Sequence, residues 1–385
     1  MHTVPYPISK KGSGRVREMN SMFAARMERL AEELRRREAD ALFVFSSELD
    51  NRPAVQYLSG FTGSFAVVVA GVNGGRLVTD SRYFIQAEEE SFLPLVRMED
   101  RDPWPAVREA LRQLGVRRLA VEDDKLSLER GRALENLLPS LIGTTRLVQQ
   151  LRAVKDAEEL ELLRRSARIA AEAFEAFLPA IRPGRTEAEL AADLVHEIRR
   201  RGAQQMAKGH FVVASGPRGA RPHGIFSDRV VQPGDFITMD FGAVYNGYVS
   251  DMTRTVGVGD VDPKLVEIYH IVREAHDRAI AAVSPDATGS DVDEAARSLI
   301  RGRGYGEFFS HSTGHGIGLE LHELPVVNRM NGKKLPVGSV VTVEPGIYID
   351  GLGGVRIEDD VIVTPHGAEV ITSASGTELR LLSPA

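Results

Sequence analysis

The chain has 385 residues, of which 43% are hydrophobic and 26% are charged, and its formal net charge is −6. It is therefore long enough for two domains with full hydrophobic cores, and its negative balance argues against a nucleic-acid partner. The absence of cysteine excludes disulfides, thiolate metal sites and a cysteine nucleophile. Any metal must be held by histidine, aspartate or glutamate, which favours manganese or cobalt and leaves zinc open.

Residues 1–20 mix proline, glycine, serine and lysine, and this composition predicts an irregular N-terminal leader. The segment has no apolar core, so no signal peptide is expected. No apolar run in the chain approaches the roughly 20 residues of a membrane span, so no membrane partner is expected either. Together these observations predict a cytoplasmic protein.

Residues 21–150 predict an α/β domain. A helix is expected from Ser21 to about Arg37, and alternating strands and helices follow it. The expected strands lie at about 41–45, 66–70, 76–79, 93–98, 117–121 and 144–148, and the expected helices at about 81–90, 103–114 and 127–138. No glycine-rich dinucleotide fingerprint follows any of these strands, so the domain is not expected to bind a dinucleotide.

Residues 151–385 predict a second domain with an internal duplication. Two helices are expected at 156–177 and 186–201, and two more at 265–283 and 290–304. Thr186 and Glu189 form a capping box, and Ser290 with Asp293 is expected to do the same. Apolar-aromatic strands are expected after each helix pair, at Phe211–Val213 and Phe308–Phe309. The repeated order of two helices followed by a strand predicts two similar halves, with a site at their junction.

Two aspartates lie on a predicted hairpin within the first half. Strands are expected at 236–242 and 248–258, and Asn246-Gly247 between them is a strong signal for a two-residue turn. The turn sets Asp240 opposite Thr253, which leaves Asp240 and Asp251 as diagonal neighbours on one face. Two such carboxylates can converge on cations, or the face can simply be exposed to water.

Two glutamates interrupt apolar strands near the C-terminus. Glu344 ends the predicted strand 340–344, and Glu358 lies within the predicted strand 355–360. A buried carboxylate is normally paired or bound to metal. Arg356 is two residues from Glu358, so it can bind a substrate carboxylate or form a structural ion pair.

Residues 311–323 combine three histidines with interleaved glycines. The histidines are His311, His315 and His322. Alone, the stretch fits a helical zinc motif, a glycine-rich phosphate loop or ordinary buried histidines. Considered with the four acids, His315 completes a set of oxygen and nitrogen donors suited to two metal ions about 3.5–4 Å apart. Such a site lowers the pKa of a bridging water and polarises the carbonyl under attack.

Seven segments of the sequence resemble the pita-bread metallopeptidases, the group that contains methionine aminopeptidase, aminopeptidase P and prolidase. The resemblance covers residues 150–375 and implies an α+β catalytic domain with internal pseudo-two-fold symmetry. The matching segments are Arg-Pro-His-Gly (221–224), Met-Asp-Phe-Gly (239–242), Ser-Asp-Met-Thr-Arg-Thr (250–255), His-Ser-Thr-Gly-His-Gly-Ile-Gly (311–318), Leu-His-Glu-Leu-Pro (321–325), Val-Glu-Pro-Gly-Ile-Tyr (343–348) and Val-Arg-Ile-Glu-Asp (355–359).

The resemblance also implies roles for individual residues and a cofactor of two divalent metal ions per subunit, with manganese favoured. Asp251 and Glu358 bridge the ions, and Glu344 is in addition the acid/base. His223 and His322 contact the scissile group or the intermediate, and His311 and Arg356 bind substrate. The implied metal ligands are Asp240, Asp251, His315, Glu344 and Glu358.

Residues 57–64 and 79–83 resemble the N-terminal domain of aminopeptidase P and prolidase, a creatinase-like domain. This resemblance predicts an aminopeptidase P-like homodimer that cleaves the Xaa-Pro bond at a free N-terminus of peptides with proline second. The alternative is prolidase, which acts on Xaa-Pro dipeptides. A metal-dependent lyase or hydrolase of small molecules, or a binding protein on the same fold, is a further alternative.

Residues 203–210 depart from the family pattern. Lys208 and His210 stand where the resemblance implies an acidic or serine-bearing approach to the next strand. The two residues either reshape specificity on the amino side of the substrate or belong to a variable loop. His210 is not expected to be a metal ligand.

Overall fold

A computed structural model of the chain describes residues 14–48, 50–138, 140–207 and 211–383. The chain divides into two compact units, of which the first ends at Arg152 and the second begins at Ala153. Among the described residues, no helix is both long and apolar enough to cross a membrane. Each unit has its own buried apolar core.

The first unit is built on one six-stranded mixed sheet with strand order β4-β3-β2-β1-β5-β6. One apolar core cluster lies between the sheet and α4, and α1 and α2 also pack against the sheet. The helices are α1 Gly14–Arg36, α2 Arg52–Ser59, α3 Phe84–Glu90, α4 Trp104–Leu114, α5 Leu128–Leu137 and α6 Leu147–Arg152. The strands are β1 Ala41–Ser47, β2 Phe65–Gly71, β3 Gly74–Thr79, β4 Leu95–Arg97, β5 Leu119–Glu122 and β6 Leu141–Thr144.

Two predictions for this unit are wrong. The predicted strand at 144–148 is replaced by β6 and then α6, in which Leu147, Val148 and Leu151 are buried at helical spacing. The predicted leader 1–20 is too long, because α1 begins at Gly14 instead of Ser21. Residues 15–20 contain arginine, glutamate and methionine, which extend a helix at little cost. Residues 1–13 lie outside the described part of the chain.

The second unit begins with two helices, α7 Ala157–Phe177 and α8 Glu187–Arg200. Asp156 and Thr186 each form a complete capping box with the glutamate three residues later, so the predicted Thr186 box is confirmed. The helices pack on a four-stranded sheet of order β20-β12-β9-β8. The strands of this half, with the C-terminal β20, are β7 Gln205–Met206, β8 Val212–Ser215, β9 Phe236–Phe241, β10 Ala243–Tyr245, β11 Tyr248–Val249, β12 Met252–Val258 and β20 Leu381–Leu382.

The same arrangement returns with α9 Pro263–Ala282 and α10 Gly289–Gly302. These two helices pack on a five-stranded sheet of order β14-β13-β15-β18-β19. A separate two-stranded ribbon joins β16 to β17. The strands of this half are β13 Gly314–Gly316, β14 Glu323–Val327, β15 Val340–Val343, β16 Gly346–Ile349, β17 Gly353–Arg356, β18 Asp359–Thr364 and β19 Gly367–Val370.

The internal duplication is therefore present, although two of its predicted details are wrong. The cap of α10 is Thr288 with Asp291, not Ser290 with Asp293. Asp293 is instead fully buried, where it serves a different role. No strand forms at Phe308–Phe309. Residues 306–308 form a 3₁₀ turn, and the equivalent strand is β13.

Candidate metal centre and active-site cleft

Four acids occupy equivalent places in the two halves. In the first half, Asp240 is the next-to-last residue of β9, and Asp251 immediately precedes β12. In the second half, Glu344 immediately follows β15, and Glu358 immediately precedes β18. Because β9 pairs antiparallel with β12 and β15 with β18, each acid pair lies at one end of its ribbon. The internal symmetry thus places four carboxylates at the junction of the halves.

The predicted hairpin that carries Asp240 and Asp251 is confirmed in register. Asp240 lies opposite Thr253, and Tyr245 lies opposite Tyr248. Asn246 and Gly247 have φ angles of 49° and 84°, the positive values that a two-residue turn of this kind requires.

The glutamates lie at breaks between strands, whereas the sequence predicted them within strands. Arg356 ends β17, which pairs with β16, while β18 pairs with β15. The chain therefore changes sheets at residues 357–358, and Glu358 forms an isolated bridge with Thr253 of the other half. A short apolar sequence does not reveal such a change of partner, because the pairing is decided over long range.

Asp251, His315 and Glu358 come together as a group whose side chains could hold a metal ion. One ligand atom from each residue lies within 4.8 Å of the other two. Asp251 and Glu358 are both 0% exposed, and burying two neighbouring carboxylates is costly without a compensating cation. Carboxylate and imidazole donors suit manganese, cobalt or zinc. The residues therefore fit the divalent metal that the sequence predicts.

His315 is oriented by its own backbone neighbour. Its Nδ1 is 3.1 Å from the carbonyl oxygen of Gly316, which acts as the acceptor. With the proton on Nδ1, the Nε2 lone pair is available to a metal. Nε2 lies 3.8 Å from Oδ2 of Asp251 and 3.6 Å from Oε1 of Glu344. Glu344 is therefore next to this group, on the side of His315.

Asp240 is held by Arg356. The arginine Nη2 donates to Oδ2 of Asp240 at 2.7 Å, and Nε donates to the hydroxyl of Thr253 at 3.0 Å. That hydroxyl in turn donates to Oε2 of Glu358 at 2.6 Å. Burial by itself lowers the pKa of Arg356, but Tyr348 and the surrounding carboxylates outweigh it and raise the pKa. Arg356 is therefore a permanent buried cation beside the acids.

His311 belongs to a second chain of contacts that meets Arg356. Its Nε2 is 2.8 Å from the hydroxyl of Tyr348, which also accepts a 2.8 Å hydrogen bond from Arg356. Burial, reinforced by the positive charge of Arg356, lowers the pKa of His311 to about 4. Burial also raises the pKa of Tyr348 to about 12. At neutral pH, both side chains are uncharged.

A cleft of about 700 Å³ opens above this group. His223 and His322 line it and are both exposed, and the His322 ring lies 4.3 Å from the His315 ring. Ile225 and Val326 contribute apolar wall, which suits a prolyl ring or an aliphatic side chain. The cleft is also lined by Ala207, Val212, Pro222, Asp240, His311, Ser312, Gly314, His315, Leu321, Asn328, Glu344 and Arg356.

The glycines of the histidine stretch serve strand packing instead of a phosphate cradle. A Cβ added at Gly314 would lie 1.9 Å from the carbonyl oxygen of Thr342, and one at Gly316 would lie 2.4 Å from that of Leu324. Both contacts are with neighbouring backbone, which cannot easily yield. Close approach of β13 to its neighbours therefore requires glycine at both positions.

Thr253 and Tyr348 belong to the site but were not predicted from the sequence, although both lie within the segments that resemble the pita-bread metallopeptidases. For Tyr348 the available signal was a hydroxyl in the otherwise apolar β16, since a buried hydroxyl needs a partner. Lys208 and His210 of the unusual 203–210 stretch lie outside the described residues. The neighbouring Gln205–Met206 pairs with β10, and Ala207 reaches the cleft.

Residues 161–365 match Metallopeptidase family M24, and residues 26–154 match the Creatinase/Prolidase N-terminal domain. The first match alone covers more than half of the chain. The chain belongs to metallopeptidase family M24. The predicted resemblance to the pita-bread metallopeptidases, the two-part fold and the assignment as a peptidase are thereby confirmed.

Relatives of this M24 chain include an Xaa-Pro dipeptidase of Pyrococcus furiosus, which is 37% identical over 85% of this chain and 92% of the relative. A solved Xaa-Pro dipeptidase from Bacillus anthracis has a TM-score of 0.88 and 39% identity, covering 94% of this chain and 99% of that one. A solved X-Pro aminopeptidase from Thermotoga maritima has a TM-score of 0.86 and 39% identity, covering 93% of this chain and 100% of that one.

Proposed function

We propose that this M24 peptidase is a prolidase, which hydrolyses the peptide bond of Xaa-Pro dipeptides. The observation that carries the proposal is the convergence of Asp251, His315 and Glu358 beneath a cleft with apolar walls. Curated relatives from Pyrococcus furiosus and Pyrococcus horikoshii are both Xaa-Pro dipeptidases. This order reverses the sequence-based prediction, which placed aminopeptidase P first and prolidase second.

The proposed metal ligands are Asp240, Asp251, His315, Glu344 and Glu358. Two divalent ions, preferably manganese, would supply an activated water and polarise the scissile carbonyl. The donor set supports this assignment, since every side chain offers oxygen or imidazole nitrogen. The Nδ1 contact of His315 with Gly316 supports a role for its Nε2 as the donor.

The other cleft residues divide the remaining tasks. Glu344, half-buried beside His315, is proposed to move the proton from the attacking water to the leaving proline nitrogen. His223 and His322 are proposed to donate hydrogen bonds to the oxygen that gains charge. His311 and Arg356 are proposed to orient the substrate, and the neutral state of His311 lets it serve as donor or acceptor.

Aminopeptidase P activity is the second candidate function. It is favoured by the X-Pro aminopeptidase from Thermotoga maritima, whose identity to this chain equals that of the Bacillus anthracis dipeptidase. The two activities differ in what lies beyond proline, since a dipeptide presents a carboxylate there and a longer peptide presents a continuing chain. The homodimer and the cytoplasmic location remain predictions.

A peptide-length panel tests the proposal. Metal-free protein is reconstituted separately with manganese, cobalt and zinc, and turnover is measured on Ala-Pro, Ala-Pro-Ala and the proline-free control Ala-Ala. A prolidase is expected to cleave Ala-Pro at least about tenfold faster than Ala-Pro-Ala or Ala-Ala. The reason is that its site makes a buried polar contact with the carboxylate of the proline, and this contact is not made with the other two peptides. Preferential cleavage of Ala-Pro-Ala establishes the second candidate, and inactivity toward both proline peptides refutes both.

A further inference from the structure

A fully buried acid closes the loop that carries His223. Glu187, the first residue of α8, is 0% exposed. Its Oε1 accepts from the backbone nitrogen and hydroxyl of Ser215 at 2.7 and 2.8 Å, and its Oε2 accepts from those of Ser227 at 2.9 and 2.7 Å. Arg218, within the loop, adds a 3.0 Å contact from Nε to Oε2. One carboxylate thus ties together both ends of the segment 215–227.

His223 lies in the middle of that segment and at the wall of the cleft. Its side chain is exposed, so packing contributes little to its position. The backbone around it is folded tightly, because Ile225 donates to the His223 carbonyl at 2.9 Å and Arg218 donates to the Ile225 carbonyl. The place of His223 therefore follows from how Glu187 holds the loop.

A second buried acid holds the segment that carries His311. Asp293 on α10 is also 0% exposed, and its Oδ1 accepts from the backbone nitrogen and hydroxyl of Thr313 at 3.2 and 2.9 Å. Arg297 binds Asp293 through two nitrogens at 2.7 and 2.9 Å. The same guanidinium donates to the carbonyls of Phe309 at 3.0 Å and His311 at 2.8 Å.

The two halves use similar arrangements, although the loop with His223 follows β8 and the segment with His311 precedes β13. Each uses an acid on the second helix of its half, and each acid is buried and paired with an arginine. Each pair hydrogen-bonds the backbone of a loop that brings a histidine to the cleft. Burying a carboxylate is costly, and capping the helix does not require it, since other acids already form the capping boxes.

We propose that Glu187 and Asp293 are positioning residues, which set the places of His223 and His311 in the cleft. The kinetic consequence rests on the proposed function, in which both histidines act on the substrate. The structural consequence, a fixed loop, does not depend on it. Neither acid lines the cleft among its described residues, so each acts through its loop.

Glu187→Gln and Asp293→Asn test the kinetic consequence in the full-length, manganese-loaded protein. Each variant replaces an acceptor oxygen by an NH₂ group that faces donors, which shifts the loop. We expect kcat on the cleaved proline peptide to fall by about 10- to 100-fold, because small misplacements at a reacting centre cost that much. For Glu187→Gln, manganese affinity measured by titration calorimetry should stay within about twofold, because the loop 215–227 contains none of the proposed ligands.

Matched controls come from the same helices. Glu189→Gln and Asp291→Asn make the same chemical changes at the exposed capping-box acids, two residues away from each buried acid. Both controls touch the start of the helix but not the loop, so kcat should stay at the wild-type value. Should either control lower kcat as much as its buried counterpart, the helix and not the loop is responsible and the proposal is overturned.

A double-mutant cycle decides whether each acid acts through its own histidine. In a His223→Ala background, Glu187→Gln should lower kcat by no more than about twofold, whereas in a His311→Ala background it should keep its full effect. Asp293→Asn should show the reverse dependence. Equal effects in both backgrounds would contradict the proposal.

Hydrogen exchange supplies a readout that is independent of peptide cleavage. Glu187→Gln should speed exchange of the amides of Ser215 and Ser227 by about tenfold or more and leave that of Thr313 unchanged. Asp293→Asn should speed exchange of the Thr313 amide and leave those of Ser215 and Ser227 unchanged. If wild-type protein cleaves neither proline peptide, the proposed function fails but this measurement still decides the positioning. Wild-type exchange in both variants overturns it. If Glu187→Gln does not fold, Glu187→Asp, which shortens the clamp, replaces it.

Discussion

The hydroxyl of Thr253 donates a 2.6 Å hydrogen bond to Oε2 of Glu358, across the boundary between the two halves of the second unit. Both residues are fully buried. The hydroxyl also accepts from Arg356 at 3.0 Å, so one small side chain orients a proposed metal ligand and connects it to the buried cation. Partners of this kind fix the direction of a ligand's lone pairs.

Thr253→Val is expected to weaken manganese binding by about 10- to 100-fold, because valine has the same shape but cannot donate to Glu358. Thr253→Ser keeps the hydroxyl and should bind nearly as well as wild type. The measurement is calorimetric titration of metal-free protein with manganese. Thr238→Val removes another buried hydroxyl, on the neighbouring strand, and should leave affinity unchanged. Equal affinities for Thr253→Val and Thr238→Val would count against the orienting role.

Metal should stabilise the folded protein, since the proposed ligands come from separate parts of the chain. At a free manganese concentration about 100 times the Kd, the free energy of unfolding is expected to rise by about 2.7 kcal/mol. Asp251→Asn should abolish this rise, because the asparagine provides no negative charge at a 0% exposed position. Thermal melts with and without manganese measure the effect. A manganese-dependent rise that persists in Asp251→Asn would exclude Asp251 as a ligand.

His276 and Asp359 should make stability depend on pH. Nε2 of His276 lies 3.1 Å from Oδ2 of Asp359. Burial lowers the pKa of His276, but Asp277 and Asp359 outweigh it and raise the pKa. Burial raises the pKa of Asp359, but Arg254 and His276 outweigh it and lower the pKa.

The directions of these two pKa shifts determine how the stability of the folded protein changes with pH. The raised pKa of His276 contributes stability below about pH 6.5, which is lost as pH rises through the folded value. The lowered pKa of Asp359 contributes stability above about pH 3.8, so both contributions are complete between these limits. The Tm deficit of His276→Gln should therefore be larger at about pH 5 than at about pH 8. The exposed His270, on the same helix, provides the control His270→Gln, whose deficit should be small at both values. A deficit for His276→Gln that grows toward pH 8 would contradict the assignment.

The ion pair of Lys155 and Glu323 should matter more to stability than any surface pair. Nζ lies 3.2 Å from Oε2, and both side chains are only 1% exposed. Lys155→Met leaves the buried carboxylate without its cation, which should cost about 3–5 kcal/mol. Lys155→Met with Glu323→Gln should recover most of the loss. Urea unfolding followed by circular dichroism measures both.

The exposed pair of Lys334 and Asp286 provides the comparison for that experiment. Lys334→Met should leave the urea midpoint unchanged, because solvent screens an exposed pair. If the Lys155 variant behaved like the Lys334 variant, the buried pair would be irrelevant to stability.

Local chemistry made part of this fold predictable from the sequence. The register that sets Asp240 opposite Thr253 follows from two turn residues, because the backbone at Asn246-Gly247 admits one tight hairpin. The capping box at Thr186 was likewise visible, since its two partners are three residues apart. Features of this kind need only a short stretch of chain.

Long-range pairing made the rest unpredictable. Glu358 contacts Thr253 across 105 residues, and its position outside both neighbouring strands depends on which strands pair. The buried role of Asp293 was missed for a related reason. Its spacing from Ser290 fitted a capping box. The helix is instead capped by Thr288, and Asp293 accepts hydrogen bonds from Thr313.

The symmetric placement of the acids has a consequence for the integrity of the chain. The first half contributes Asp240 and Asp251, while the second half contributes His315, Glu344 and Glu358, so neither half alone holds the proposed ligand set. A nick at Gly259-Asp260, between β12 and α9, would yield two fragments that each lack part of the centre. A divalent cation bound by ligands from both fragments would then hold them together, and a chelator would release them. Recovery of peptidase activity would report that the two fragments have reassembled.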